Sequence, residues 1–180
     1  MNKIILFLLL PFLFVKQESE KIIARQGQVS FFSYTSVEHI KAQNNQVLSI
    51  VDLSSQEIAV SMLMNAFVFE KALMRDHFNE SYIESDIYPK ATFEGKIMDF
   101  DPSMDGSQTR IIKGILSMHG AQKELDIKSK IEKTADGFLI TGSFQTMVED
   151  YNIKIPPLLA GNIAKNISVD FRFQYTSYEN

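Results

Sequence analysis

The chain has 180 residues, a formal charge of −4, and neither cysteine nor tryptophan. That length suits one domain. Without cysteine there is no disulfide, no thiol nucleophile, no thiolate-bound zinc and no lipid attachment through an N-terminal Cys. Acidic and basic residues are interspersed instead of gathered into the basic stripe that neutralises phosphates, which argues against nucleic-acid binding.

Asn2 and Lys3 precede IILFLLLPFLFV, an uncharged run from Ile4 to Val15. A membrane-spanning helix needs about 20 apolar residues. The shorter run fits the apolar centre of a secretory signal peptide, with Lys3 as its positive flank. The polar KQESE follows and places cleavage near Gln17 to Glu20, giving a signal peptide over 1–19 and a folded domain over 20–180. No small-x-small site stands there, so an uncleaved anchor is the alternative. The expected location is periplasmic or secreted.

From Lys21 onward a two-residue rhythm predominates, the signature of strands with one wet and one covered face. QVSFFSYT, QVLSIVD, EIAVSMLM and ATFEGKIMDF come first. Between the third and fourth, Phe69, Leu73, Met74 and Phe78 fall at helical spacing with no Gly or Pro between them, which predicts one short helix over about 70–79. Tyr88–Pro89 then returns the chain to extended angles. TRIIKGILSM follows, and then KELDIKSKIE. In the latter, Leu125, Ile127 and Ile131 share a face with Ser129, opposite Glu124, Asp126, Lys128, Lys130 and Glu132. FLITGSFQTMV and a last strand with Ile167, Val169, Phe171, Phe173 and Tyr175 on one face complete the set. Turn signals at Gly106, Gly120 and Asp136–Gly137 separate neighbours by short connections, so they pair antiparallel. IPPLLAGNIAK, Ile155 to Lys165, reads as a loop with one helical turn. The class is all-β, and about eight strands suit a closed antiparallel barrel or a sandwich.

The densest run of reactive side chains is LMRDHFNESYIESDIYPKATFEGKI, Leu73 to Ile97. His77 and Glu80 are three apart, with Glu84 near the helix exit, but metal sites want at least three well-spaced ligands, and His39 and His119 lie on other segments. Ser117 and His119 are two apart and form no triad. There is no G-x-S-x-G elbow and no phosphate-cradling glycine loop. Clustered acids at a helix exit are more often solvated or cap partners than acid–base catalysts. The expectation is therefore no catalytic residue, no metal and no cofactor. The other signal is 14 Phe. In a barrel of eight strands such rings either fill the interior or line a space for one small molecule.

The same run strongly resembles the signature of YceI-like proteins, an exported lipid- or polyisoprenoid-binding family. The matching positions are Leu73–Met74, His77–Phe78–Asn79–Glu80, Tyr82, Glu84–Ser85, Tyr88–Pro89–Lys90–Ala91, Phe93 and Gly95. GQVSFFS at Gly27 to Ser33 and IPPLLAGNIAKNISV at Ile155 to Val169 extend the similarity, which spans roughly Ile22 to Tyr175. The resemblance implies a lipocalin-like eight-stranded barrel with a helix at one end. It also implies non-catalytic binding of an isoprenoid chain or similar apolar lipid as partner.

The expected lumen residues are Leu125, Ile127, Phe138, Ile140, Phe144, Val169, Phe171 and Phe173. Phe31, Phe67 and Phe93 join them, with Met74, Phe78 and Tyr82 pointing in from the helix. Arg75, Asp76, His77, Glu80 and Glu84 are expected to form a structural polar cluster at a barrel end. Two other readings stand beside this one: a filled barrel serving as a structural or stress-response module, and a metal-dependent enzyme using His77 with Glu80 or Glu84.

Overall fold

The computed structural model describes residues 20–178, so the signal-peptide expectation over 1–19 falls outside the described residues. Among the described residues nine strands form in chain order: β1 (Lys21–Tyr34), β2 (His39–Asp52), β3 (Glu57–Leu63), β4 (Val68–Phe69), β5 (Lys90–Ile97), β6 (Ser107–Met118), β7 (Ala121–Thr134), β8 (Gly137–Met147) and β9 (Asn166–Ser177). Each long strand pairs antiparallel with its neighbour in the chain, β3 passing directly to β5. β9 returns to β1, and β1 pairs with β2, so the eight long strands close on themselves. Closure removes the exposed edges that a sandwich would keep. The two-residue β4 sits on β2 opposite Ala42 and Gln43.

Turn chemistry sets the register. His119 and Gly120 both take positive φ, 51° and 73°, between paired Met118 and Ala121. That is the two-residue turn whose twist matches flanking strands. Asp52 caps the β2–β3 turn by accepting from the backbone N–H groups of Ser54 and Ser55 at 2.9 and 3.2 Å.

The helix starts later than its spacing suggests. Phe69 is held in β4, so α1 runs Ala72–His77 and continues as a π-helical turn over Phe78–Tyr82. Glu84, at φ 48°, then ends it in the left-handed conformation common at helix C-termini. The expected loop at Ile155–Lys165 contains one 3-10 turn, Pro157–Leu159.

The two barrel ends differ. The β2–β3, β5–β6 and β7–β8 turns close one end, where Phe100 meets Phe138 edge-on at 5.6 Å. Buried Ile97, Ile131 and Val51 pack around that floor. Tyr175, fully buried, hydrogen-bonds Ser49 at 2.6 Å, and Ser49 Oγ in turn donates to the Ala59 carbonyl at 3.1 Å. Burial holds the Tyr175 phenol far above its ordinary range, and the Ser49 contact opposes this only in part. The other end carries α1, the β1–β2 turn, the β6–β7 turn and the long β8–β9 connection over residues 148–165.

Candidate ligand-binding cavity

A cavity of about 480 Å³ runs from mid-barrel to the helix-bearing end. Val29, Val60, Ile112 and Ile127 form its inner wall, with Phe93 and Phe173. Alternation alone turns these side chains inward. Glycines decide that the rings lie along the wall instead of crossing the lumen. A methyl group on Gly142 would sit 2.6 Å from the Phe171 ring, so that ring occupies the space of the missing side chain. Phe173 covers Gly27 in the same way, and Phe93 lies across the paired Gly95 and Gly114.

Nearer the mouth, Phe31, Phe67, Phe69 and Phe78 form one aromatic cluster, with ring centroids 5.0–5.9 Å apart. Contacts of this kind contribute beyond simple burial, and they fix α1 against β1. The helix lines the cavity with Leu73, Met74, His77, Phe78 and Tyr82. Burial pushes the Tyr82 phenol above its ordinary value. Across the mouth, Ile153, Ile155 and Ile163 of the β8–β9 connection face the same space. Polar groups gather at the rim: Asn162, and Lys71 paired with Glu38 at 3.1 Å.

Two anchors hold the mouth in shape. Buried Ser33 accepts a hydrogen bond from the Ala164 N–H at 2.8 Å, fastening the β8–β9 connection to β1. The second anchor is His119. Its Nε2 lies 3.0 Å from Glu84 Oε2 and its Nδ1 2.9 Å from the Tyr151 carbonyl, joining three segments. Tyr88 packs on the His119 ring, with centroids 4.4 Å apart. Glu84 and His119 both hold left-handed backbone angles, which cost non-glycine residues energy and persist only where surrounding contacts impose them. Tyr151 is fully buried; burial raises its phenol, opposed by a 2.9 Å bond with Thr146.

A family comparison matches residues 21–175 to the YceI-like domain. The chain belongs to the YceI-like domain family. Among solved structures, this YceI-like barrel is similar to a polyisoprenoid-binding domain from Saccharophagus degradans implicated in plant cell wall breakdown. The two share 14% identity and a TM-score of 0.76, over 89% of this chain and 100% of that one. Burkholderia cenocepacia BcnA is similar at 14% identity and TM-score 0.68, over 81% and 94% of the two chains. A Campylobacter jejuni YceI protein is similar at 14% and 0.63, over 82% and 90%. At these identities the likeness concerns the fold. A comparison with curated proteins finds no match.

Of the residues expected in the lumen, Phe31, Phe67, Met74, Phe78, Tyr82 and Phe93 line the YceI-like cavity, as do Ile127, Phe144, Val169, Phe171 and Phe173. Three do not. Phe138 and Ile140 are buried on the inward face but belong to the closed floor, where Phe138 packs on Phe100. Leu125 faces inward opposite Gly114, whose place the Phe93 ring covers, and packs on the core from there. The polar cluster is also dispersed. Among the described residues the Arg75 side chain bonds its neighbour Asp76, at 2.8 and 3.0 Å on the surface, and its carbonyl accepts from Asn79 within the same helical turn. His77 and Glu80 make no ion pair among the described residues, and only Glu84 reaches another segment. No group of three or more His, Asp or Glu among the described residues is placed to hold a metal ion. Sequence reasoning weighed His119 only as a metal ligand or triad member and did not pair it with Glu84, 35 positions away, and it read Ile155 and Ile163 as part of a loop.

Proposed function

We propose that this YceI-like protein binds one apolar chain, a polyisoprenoid or similar amphipathic lipid, and carries or sequesters it without chemistry. The observation that carries this reading is an apolar cavity of about 480 Å³ with polar groups only near its mouth. An engineered core cavity of about 150 Å³ accepts benzene, or about 25 Å³ per carbon. By that measure the space suits about 19 carbons, close to four isoprene units. The tail enters first, and the polar head stays near Lys71, Glu38 and Asn162. Each five-carbon unit contributes about 3–4 kcal/mol on burial, so three or four units give micromolar affinity or better after ordering costs. The fold shared with the Saccharophagus degradans polyisoprenoid-binding domain supports this class of ligand. The apolar run at Ile4–Val15 supports a place of action outside the cytoplasm.

A chain-length series tests the reading. Prenols of about 10, 15, 20 and 40 carbons, titrated by competition, should gain about two orders of magnitude in affinity per unit up to about 20 carbons, then level off. Affinity independent of chain length, or none at any length, overturns it.

A further inference from the structure

The barrel presents its exposed apolar side chains unevenly. Leu158 is 92% exposed, on the 3-10 turn Pro157–Leu159 in the β8–β9 connection. Across the mouth, Leu73 is 65% exposed while lining the cavity from α1. Tyr34 and Val37, beside the β1–β2 turn, are also exposed at this end. Residues 152–166 contain two lysines, Lys154 and Lys165, and no carboxylate. Both lysines are exposed and flank the apolar tip. The same segment contributes Ile155 and Ile163 to the cavity wall. The turns at the opposite end carry Asp99, Asp101, Asp105 and Asp136, while at the mouth end the acids Asp76, Glu80 and Glu84 lie on and after the helix, outside this connection.

We propose that this connection docks the cavity mouth on an anionic membrane surface, with Leu158 entering the acyl boundary and Lys154 and Lys165 meeting the headgroups. An apolar tip bracketed by lysines has the composition that interfacial binding needs: buried area plus attraction to anionic lipid, with the lysine stems lying along the apolar region. The tip stands on a fixed base, since Ala164 is bonded to Ser33 and Val148 N–H reaches the Lys165 carbonyl at 3.2 Å. Acids near this segment include Glu149, Asp150 and, at the cavity rim, Glu38; Asp150 is paired with Lys123 at 3.0 Å and Glu38 with Lys71 at 3.1 Å. Docking here would set the cavity wall against the bilayer, so that a lipid tail could pass without crossing water. That purpose rests on the lipid-binding reading, whereas the contact itself is tested separately.

The chain has no tryptophan, so Leu158→Trp supplies a single reporter without background. On vesicles of phosphatidylethanolamine with phosphatidylglycerol its emission should shift to the blue. On phosphatidylcholine alone, or in high salt, the shift should be much weaker. Cosedimentation of the otherwise unaltered chain should fall about tenfold or more in Leu158→Asp. A similar fall is expected when Lys154→Glu and Lys165→Glu are combined. Leu158 is exposed, so thermal stability and prenol uptake from aqueous dispersion should stay at the level of the unsubstituted protein. An unshifted reporter, or equal cosedimentation of all these proteins, overturns the proposal. If vesicle contact holds while prenols are refused, the lipid-carrier reading falls and the docking surface stands.

Discussion

Val60→Phe separates a hollow barrel from a filled one. Val60 lies mid-strand in β3, paired with Ser49 on one side and Phe93 on the other, and its side chain lines the cavity. Phenylalanine adds four carbons, which at about 25 Å³ each occupy about 100 Å³, roughly a fifth of the 480 Å³ available. The variant should therefore lose room for about four ligand methylenes, worth about 3 kcal/mol. A prenol of about 20 carbons should bind roughly two hundredfold more weakly, while one of about 10 carbons is little affected. The free protein should keep or gain stability in urea denaturation, because the ring fills space. In a barrel without a lumen the same change would overpack the core and cost about 1–3 kcal/mol. Destabilisation of that size, or an unchanged affinity for the longer prenol in a folded variant, would refute the reasoning.

Gly142→Ala should act on the same cavity indirectly. The new methyl would lie 2.6 Å from the Phe171 ring and push it into the lumen, so competition binding should again weaken most for the longest prenol that fits. Removing the mouth anchor should cost stability and no reaction. His119→Ala, which loses two hydrogen bonds and a tilted ring contact from a site whose side chain is 8% exposed, should lose about 2–3 kcal/mol in urea unfolding. Glu84→Ala, whose side chain is 45% exposed, should lose no more than about 1 kcal/mol. Arg75→Ala should stay within about 0.5 kcal/mol, and a cost comparable to His119→Ala would show that the surface pair with Asp76 has been misjudged. Tyr175→Phe should cost about 1 kcal/mol near neutrality, because the Ser49 partner keeps its bond to Ala59. Its pH signature is more specific. Burial raises the phenol above its ordinary value, so its contribution is complete below about pH 10 and is lost as pH rises through the native value. Above pH 10 the unsubstituted protein should lose stability more steeply than Tyr175→Phe, by up to about 1.4 kcal/mol per pH unit, and parallel curves would refute this.

Alternation made the wall of the barrel legible. The face shared by Ile127, Ser129 and Ile131 in β7, and that of Val169, Phe171 and Phe173 in β9, follow from a period of two with no knowledge of partners. Period does not encode height along the barrel axis, however. Phe138 and Ile140 look the same in sequence as Phe144, six and four residues on in the same strand, yet they form the floor while Phe144 lines the cavity. Depth depends on where each strand meets its turn, and that is set by pairing. The openness of the lumen is similarly non-local. It depends on Phe171 on β9 lying over Gly142 on β8, and on Phe93 on β5 over Gly114 on β6. The polar run at Leu73–Ile97 shows the opposite error. Its residues are dense in sequence, but a helical turn spreads them around its axis, and Glu84 finds its partner on a distant turn. The β8–β9 connection is interrupted at Pro156–Pro157, so Ile155 and Ile163 read as loop although they form one side of the mouth.

The most direct measurement is native mass spectrometry of the protein purified gently from its own cells, with an organic extract of the same sample analysed alongside. The account predicts one apolar molecule per chain, recoverable in the extract and exchangeable for an added prenol. Protein that is repeatedly empty and takes up no prenyl lipid would contradict it.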